Sequence, residues 1–126
     1  GHKALSILVA EDNPSNQKVL VEMLTRMGCR PDAVSDGKEA LQILEMRSYD
    51  LIFMDVKMPE MDGITATREI RRRWPEKGPK IVAITAYALP GDREMCLEAG
   101  MDDYVSKPVL KEELVRVLKR WQPKAQ

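Results

Sequence analysis

The sequence predicts an α/β fold in which a parallel β-sheet is covered by helices on both faces. Short apolar runs alternate with longer amphipathic stretches along the 126 residues, which is the pattern of repeated βα units. A chain of this length has room for one domain and not for a second sizeable core. We therefore expect one domain over residues 3–122, with residues 1–2 as a tag remnant and residues 123–126 as a frayed tail.

The first βα unit is predicted from an apolar run and from residues typical of helix ends. Leu5–Ala10 has the composition of a buried strand. Asn13 can cap a helix, and Pro14 suits the first helical turn because that position leaves its N–H unpaired in any case. Apolar residues at helical spacing continue to Met27, after which Gly28 can provide a left-handed C-cap.

The second and third strands flank another predicted helix. Ala33–Ser35 is a short strand, and the turn at Asp36 opens a helix whose apolar residues share one side. Leu51–Met54 is wholly apolar, so it is expected near the centre of the sheet, with Asp55 directly after it. Residues 56–63 include proline and glycine and are predicted to form a loop.

The rest of the chain repeats the same alternation. We predict a helix over residues 64–73, a strand over 80–84 that ends at Thr85, a helix from Pro90 to Ala99 capped by Gly100, and a strand over 103–106. The closing helix is predicted from a continuous apolar stripe at Leu110, Leu114, Val117, Leu118 and Trp121. Five strands and five helices are therefore expected to alternate.

Composition and charge exclude several classes of function. Twenty basic and twenty acidic residues balance, so no net field favours nucleic acid or an anionic membrane surface, and no apolar run is long enough to span a bilayer. Cys29 and Cys96 lack CxxC spacing, which gives no support to a zinc or dithiol site and leaves the reducing cytoplasm as the expected compartment. The single histidine, His2, lies in the expected tag remnant, so sites based on histidine are excluded.

Polar residues follow the predicted strands at the end where a ligand would bind. They are Glu11 and Asp12 after the first strand, Asp55 after the third, Thr85 after the fourth and Lys107 after the fifth. In an open α/β sheet the carboxyl ends of the strands share one edge and form the ligand site. Three carboxylates there would repel each other unless a cation held them ionised, and hard oxygen ligands suit Mg²⁺.

These residue types fit the transfer of a phosphoryl group. The Asp55 carboxylate can attack phosphorus and form an acyl phosphate. Lys107 can pair with the charge of the product, and the Thr85 hydroxyl can donate to a phosphoryl oxygen. Phosphoryl transfer depends mainly on in-line positioning and charge neutralisation, so it needs no histidine base.

A series of motifs supports a more specific assignment. They are Leu8-Val-Ala-Glu-Asp-Asn13, Phe53-Met-Asp-Val-Lys-Met-Pro59, Met61-Asp-Gly63, Ile84-Thr-Ala86 and Tyr104-Val-Ser-Lys-Pro108. In this order and spacing the chain resembles, over nearly its whole length, the receiver domain of two-component response regulators. The resemblance implies a flavodoxin-like, CheY-like fold, which is a doubly wound five-stranded parallel sheet of order 2-1-3-4-5 with five helices and a cis Lys-Pro bond.

The resemblance implies roles for the acidic residues. Asp55 would be the phosphorylated residue, and Asp12 and Asp55 would bind Mg²⁺ directly. Glu11, where the family more often has aspartate, would act on the metal through a water molecule. The backbone carbonyl of Lys57 would be a further ligand.

The resemblance also implies a switch. Thr85 and Tyr104 match the pair of residues that moves on phosphorylation, and Lys107 matches the invariant-type lysine of the family's last motif. Lys57 and Tyr87 occupy the two positions that govern the lifetime of the acyl phosphate. We expect Tyr87 to screen the phosphoryl group from water and to lengthen that lifetime.

The expected function is that of a switch rather than an enzyme. The domain would take its phosphoryl group from the phosphohistidine of a histidine kinase or a histidine phosphotransfer protein, and would assist its own phosphorylation and dephosphorylation. Its fourth helix, fifth strand and fifth helix would form the surface that an output domain or protein recognises. We expect no contact with nucleic acid and no membrane insertion. Residues 11–16 and 100–108 are similar to receivers of hybrid sensor histidine kinases, whose parent proteins can be membrane-anchored.

Other functions on this fold stay open from the residues alone. A Mg²⁺-dependent phosphatase or phosphotransferase could act on a small substrate through an aspartyl phosphate, although Lys57 stands where such enzymes usually place a second acid. A flavin-binding module is a second alternative, although no Ser/Thr/Gly-rich loop follows the first strand. A receiver that serves only as a docking surface is a third, although the complete acidic set argues against it.

Overall fold

The computed structural model describes residues 4–76, 78–86 and 91–121 of the chain. The elements are β1 (Ser6–Ala10), α1 (Pro14–Arg26), β2 (Arg30–Val34), α2 (Gly37–Met46), β3 (Leu51–Asp55), α3 (Gly63–Arg73), β4 (Lys80–Thr85), α4 (Asp92–Ala99), β5 (Asp103–Ser106) and α5 (Lys111–Trp121). The expectations for residues 1–2, Tyr87, Pro90 and residues 123–126 concern positions outside the described residues. Among the helices described, none combines the length and the hydropathy that crossing a bilayer requires.

The five strands form one parallel sheet in the order β2-β1-β3-β4-β5, which confirms the predicted fold class. Each neighbouring pair runs in parallel, so the chain returns to the start of each new strand through a helix. The strand order reverses between β1 and β3, because the chain first winds from β1 to β2 and then crosses to the other side. The carboxyl ends of β1 and β3 therefore lie side by side at the point where a ligand site is expected.

Apolar side chains pack against both faces of the sheet. On one face α2, α3 and α4 cover a buried cluster that includes Leu8, Ile52, Met54, Ala66, Ile70, Ile81 and Cys96. On the other face α1 and α5 cover a second cluster that includes Ile7, Val9, Leu20, Leu24, Phe53, Val82, Leu114 and Val117. Every residue of β3 is buried, as expected for a central strand with helices on both sides.

Side-chain caps determine where three of the helices begin. Asn13, Asp36 and Asp62 each accept a hydrogen bond from the backbone N–H three residues later, at 2.7–3.1 Å. The Asn13 cap was predicted. The Asp62 cap was not, and it starts α3 at Gly63, one residue before the expected position.

The sequence prediction was wrong in two further details. β2 spans Arg30–Val34 rather than Ala33–Ser35, because its pairing with β1 begins over polar residues and ends at Val34. Since β2 lies at the edge of the sheet, it can include Pro31 without losing a hydrogen bond to β1. Leu110 does not belong to the buried stripe of α5, because it precedes the first helical turn and is 56% exposed.

A buried carboxylate links α5 to the first residue of β5. Asp103 is 9% exposed, and its Oδ2 accepts hydrogen bonds from Arg116 Nη1 at 3.0 Å and from Trp121 Nε1 at 3.2 Å. The N–H of Tyr104 donates to Oδ1 at 2.8 Å. Burial alone would raise the pKa of Asp103, but these hydrogen bonds outweigh it and hold the pKa below its usual value.

We expect the substitution Asp103→Asn to lower the free energy of unfolding at neutral pH by about 1.5–3 kcal/mol, because hydrogen bonds to a charged group contribute that much. The pKa of Asp103 is lower in the folded chain than in the unfolded chain, where it is about 3.9. The stabilisation by the Asp103 carboxylate is therefore fully present above pH of about 3.9 and is lost as the pH falls through the pKa of the folded state. Urea unfolding near pH 7 and near pH 3 measures the difference in unfolding free energy between Asp103→Asn and the natural chain, and this difference should be smaller near pH 3. The control is Glu112→Gln, which removes an exposed carboxylate of α5 and should have little effect at either pH. An equal loss at both pH values for Asp103→Asn would contradict this explanation.

Candidate functional site

The carboxyl edge of the sheet brings together the polar residues that the sequence placed after the strands. Glu11 follows β1, Asp55 ends β3, Thr85 ends β4 and Lys107 follows β5. β1 pairs with β3, β3 with β4 and β4 with β5, so these residues lie in one row. The prediction that distant parts of the chain meet here is confirmed.

The ammonium group of Lys107 lies between two buried carboxylates. Its Nζ is 2.6 Å from Asp55 Oδ2 and 3.2 Å from Glu11 Oε1. Glu11 and Asp55 are 2% and 3% exposed, so both carboxylates are almost fully removed from water. A cation this close offsets part of the cost of burying two negative charges. The Lys107–Pro108 peptide bond is cis, as the resemblance implied.

The surroundings raise the pKa values of both Glu11 and Lys107. Burial and the neighbouring Asp55 raise the pKa of Glu11, although Lys107 works against that change. Burial disfavours the charged form of Lys107, but the hydrogen bonds and Coulomb attraction of Asp55 and Glu11 outweigh burial and raise its pKa. The lysine therefore stays protonated and places a positive charge between the two carboxylates.

The acidic residues form a set that fits a divalent cation. Ligand atoms of Glu11, Asp12 and Asp55 all lie within 4.8 Å of one another. The Lys107 ammonium contacts two of these carboxylates, Asp55 and Glu11, and a bound cation would further reduce the repulsion among all three. Their oxygens are hard ligands of the kind that Mg²⁺ prefers, and the exposed Asp12 gives access from solvent.

The loop after β3 holds the second oxygen of the acceptor. The backbone N–H of Lys57 donates to Asp55 Oδ1 at 3.1 Å. The same loop is closed by a hydrogen bond from the Gly63 N–H to the Val56 carbonyl at 2.9 Å. With Lys107 on Oδ2, both oxygens of the Asp55 carboxylate have fixed partners.

Asp55 opens onto a cleft that a phosphoryl donor could enter. The cleft has a volume of about 480 Å³, and its lining includes Asp55, Lys57, Thr85 and Lys107 together with Met95 and Cys96 of α4. Thr85, which the sequence placed at the site, therefore shares the cleft with the acceptor and the lysine.

Thr85 and Tyr104 lie on neighbouring strands and on the same face of the sheet. Ala83 pairs with Tyr104 and Thr85 pairs with Ser106, and alternate residues of a strand face the same side. The half-buried Tyr104 packs against the apolar cluster on that face. The guanidinium carbon of Arg93 in α4 lies 5.9 Å from the centre of its ring. The phenol of Tyr104 is therefore placed between β5 and α4.

Sequence reasoning missed residues that support the site without belonging to it. The side-chain Nε2 of Gln17 donates to the Glu11 carbonyl at 3.0 Å and to the Val34 carbonyl at 2.9 Å. The N–H of Gly37 donates to the Met61 carbonyl at 3.0 Å, and a Cβ at this position would lie 2.6 Å from that oxygen. Gln17 lies four residues after the predicted Asn13 cap. That helical spacing, which places the two residues on the same side of α1, was the available indication that the Gln17 side chain faces the strand ends.

Comparison with known proteins agrees with this geometry. The family model described as "Response regulator receiver domain" matches residues 7–119. Hybrid signal transduction histidine kinase H of Dictyostelium discoideum is 42% identical over 120 residues, which cover 92% of this chain and 9% of the relative. The chain thus spans less than a tenth of the length of that relative.

Two solved structures share the fold over most of both chains. The receiver domain of sensor histidine kinase PA1611 from Pseudomonas aeruginosa PAO1 has a magnesium ion coordinated in its active site cleft. It is 49% identical, with a TM-score of 0.85, and the match covers 94% of this chain and 98% of that one. The receiver domain of Ssk1 from Saccharomyces cerevisiae was solved with the histidine phosphotransfer protein Ypd1. This structure is 30% identical, with a TM-score of 0.87, and the match covers 94% of this chain and 91% of that one.

Proposed function

Because this chain belongs to the response regulator receiver domain family and is therefore a receiver of the two-component phosphorelay, we propose that Asp55 accepts its phosphoryl group from a protein phosphohistidine. The observation that carries the proposal is the 2.6 Å contact between Lys107 Nζ and Asp55 Oδ2 inside a cluster of three carboxylates. The hybrid kinases among its relatives support a hybrid kinase as the parent protein. Phosphohistidine donors are made with ATP, so we assign the domain to the cytoplasm.

The transfer exchanges one bond at phosphorus for another. An Asp55 carboxylate oxygen forms the new O–P bond as the P–N bond of the phosphohistidine breaks, and the electron pair of that bond leaves with the donor imidazole. The N–H of Lys57 and the ammonium of Lys107 hold the two oxygens of Asp55, so the carboxylate cannot rotate freely. Such a fixed nucleophile favours the in-line geometry that the reaction needs.

Neutralisation of charge is shared among the residues around the acceptor. Lys107 stays protonated and can pair with an oxygen of the incoming group, while the Thr85 hydroxyl can donate to another. Asp12 and Asp55 would bind Mg²⁺ directly, Glu11 through water and Lys57 through its carbonyl. A bound Mg²⁺ ion would supply further charge neutralisation at the phosphoryl oxygens. The domain in this way assists its own phosphorylation and dephosphorylation.

The phosphoryl group changes the output surface through Thr85 and Tyr104. A hydrogen bond to a charged group contributes about 1.5–3 kcal/mol, whereas moving a population from 1:99 to 99:1 requires about 5.5 kcal/mol. Thr85 alone is therefore insufficient, and Lys107 and repacking beside Tyr104 contribute the remainder. The surface that changes is formed by α4, β5 and α5, because Tyr104 lies between α4 and β5.

An apolar groove beside the site offers a docking surface for the donor protein. The groove has a volume of about 440 Å³ and is lined by Glu11, Asn16, Val19, Leu20, Met23, Ile84, Lys107, Pro108 and Val109. Val19, which lines the groove, is 55% exposed, and Leu110, which follows Val109 of the groove in sequence, is 56% exposed. Both side chains are therefore available to contact a partner. Since Glu11 and Lys107 belong to both the groove and the site, a protein bound there would have its phosphohistidine close to Asp55.

We expect a phosphorylated histidine phosphotransfer protein to transfer its labelled phosphoryl group to this chain. The substitution Val19→Asp should slow that transfer about tenfold, because a charge replaces an apolar contact at the docking surface. Labelling by acetyl phosphate, which needs no docked protein, should stay unchanged in the same variant. Met46→Asp is the matched control, because Met46 is 83% exposed at the end of α2, away from the groove. If no phosphorylated donor protein loses label to the natural chain, the proposed function is wrong. Equal transfer rates for Val19→Asp and Met46→Asp would contradict the docking surface.

A further inference from the structure

Gln17 connects the start of α1 to the ends of two strands. It is the fourth residue of the helix, and its own N–H makes a helical hydrogen bond to the Asn13 carbonyl at 2.9 Å. Its side chain points to the sheet, where the single Nε2 atom donates to the carbonyl of Glu11 at 3.0 Å and to that of Val34 at 2.9 Å. Both hydrogens of the amide group are therefore used on backbone oxygens.

One of these hydrogen bonds acts directly on the peptide unit that joins Glu11 and Asp12, and the other anchors the Gln17 amide to β2. The Glu11 carbonyl belongs to the peptide bond between Glu11 and Asp12, so its direction sets the direction of the Asp12 backbone. The N–H of Glu11 is held from the other side by the Val34 carbonyl at 3.1 Å. Gln17 and Val34 thus fix both polar groups of the Glu11 backbone.

The supported segment carries two of the three carboxylates in the cluster. Glu11 and Asp12 are adjacent in sequence, whereas Asp55 comes from β3. Ligands for a cation must keep their positions against mutual repulsion, and hydrogen bonds from residues behind the ligands are the usual means. The Gln17 amide, which donates to the Glu11 carbonyl, is such a residue for this segment.

We propose that Gln17 is a positioning residue for the metal site: its side-chain amide holds the Glu11–Asp12 peptide so that both carboxylates face Asp55. This inference rests on the proposed function, because it concerns the affinity of that site for Mg²⁺. A side chain must be long enough to reach the strand ends and must carry two N–H donors on one atom. Methionine has nearly the same length and shape and has no donor, so Gln17→Met removes the two hydrogen bonds with little loss of packing.

The test compares Gln17→Met with the natural chain and with Gln42→Met, which makes the same change at an exposed position of α2. Calorimetric titration with Mg²⁺ alone should show affinity about tenfold weaker for Gln17→Met, as is usual when a residue supporting metal ligands is lost, and unchanged for Gln42→Met. With acetyl phosphate as donor, the Mg²⁺ concentration at half-maximal labelling should rise by the same factor. The labelling rate at saturating Mg²⁺ should change much less, and a general loss of stability would not produce this pattern.

A second measurement needs no variant. In the natural chain, the two side-chain amide protons of Gln17 should exchange with solvent more slowly than those of the exposed Asn16, and nuclear magnetic resonance can follow both. Equal Mg²⁺ affinity in Gln17→Met and the natural chain would overturn the inference and leave the proposed function intact. Gln17 amide protons that exchange as fast as those of Asn16 would also overturn it, even if Gln17→Met does not fold. A natural chain that binds no Mg²⁺ would overturn the proposed function and this inference together.

Discussion

Replacement of Asp55 by asparagine is expected to abolish covalent phosphorylation and to leave the fold intact. The amide has the shape of the carboxylate but lacks the anionic oxygen that attacks phosphorus. Lys107 keeps its contact with Glu11 at 3.2 Å, and the repulsion between the buried carboxylates falls, so we expect stability to change by no more than about 1 kcal/mol. Intact-mass measurement after exposure to acetyl phosphate and Mg²⁺ gives the labelled fraction, and urea unfolding gives the stability.

The matched control for this substitution is Asp50→Asn. Asp50 precedes β3 at the opposite edge of the sheet, where its Oδ2 accepts a hydrogen bond from the Ser6 N–H at 2.9 Å. The control exchanges the same functional groups and should be labelled as the natural chain is. Label that persists in Asp55→Asn at the natural rate would show that another residue is the acceptor.

The second large effect is expected for Gly63→Ala, and it concerns stability. Gly63 is buried at the start of α3, where a Cβ would collide with the backbone carbonyl oxygen of Asp55 and lie 2.9 Å from Met54 Cγ. The backbone oxygen cannot move aside as a flexible side chain could, so α3 would have to retreat from β3. We expect the free energy of unfolding to fall by about 3 kcal/mol, near the upper end for an overpacked site. Urea unfolding measures this loss.

Gly28→Ala separates the collision from the general cost of replacing a glycine. Gly28 has a left-handed φ of 88°, and nothing lies within 4 Å of a Cβ built there. Its replacement should therefore cost about 1–2 kcal/mol from backbone strain alone. Gly63→Ala should also weaken labelling, because the displaced backbone belongs to the acceptor, whereas Gly28→Ala should not. Equal stability losses with full labelling in both variants would contradict the close approach of α3 to β3.

The layered architecture could be predicted from the sequence because burial dominates it. The run Leu51–Met54 is apolar throughout and became a fully buried strand, and the alternation of strands and helices left few other arrangements. The ends of elements were harder to predict. β2 starts three residues before its predicted first residue, because its pairing with β1 includes polar residues. No local sequence pattern indicates that these polar residues belong to a strand. Leu110 was misplaced because helical spacing continues past the residue where the helix begins.

The site could be predicted at the positions where a charged or nucleophilic residue stands at the end of a strand. Glu11, Asp55 and Lys107 each stand at the carboxyl end of a predicted strand, and parallel strands bring such positions to one edge. The supporting contacts were not predictable, because they join residues by hydrogen bonds to backbone atoms. Gln17 recognises two carbonyls rather than side chains, and the need for glycine at position 37 comes from the Met61 carbonyl 24 positions further along the chain.

The most direct test of Asp55 as a magnesium-dependent acceptor is the intact mass of the natural chain after exposure to acetyl phosphate, with and without Mg²⁺. Borohydride reduction, which converts an aspartyl phosphate to homoserine, then locates the modified residue by peptide mass. We predict one phosphoryl group per chain, formed only with Mg²⁺ and located at residue 55. A chain that remains unmodified with donor and metal present, or that carries the group on another residue, would contradict the central claim.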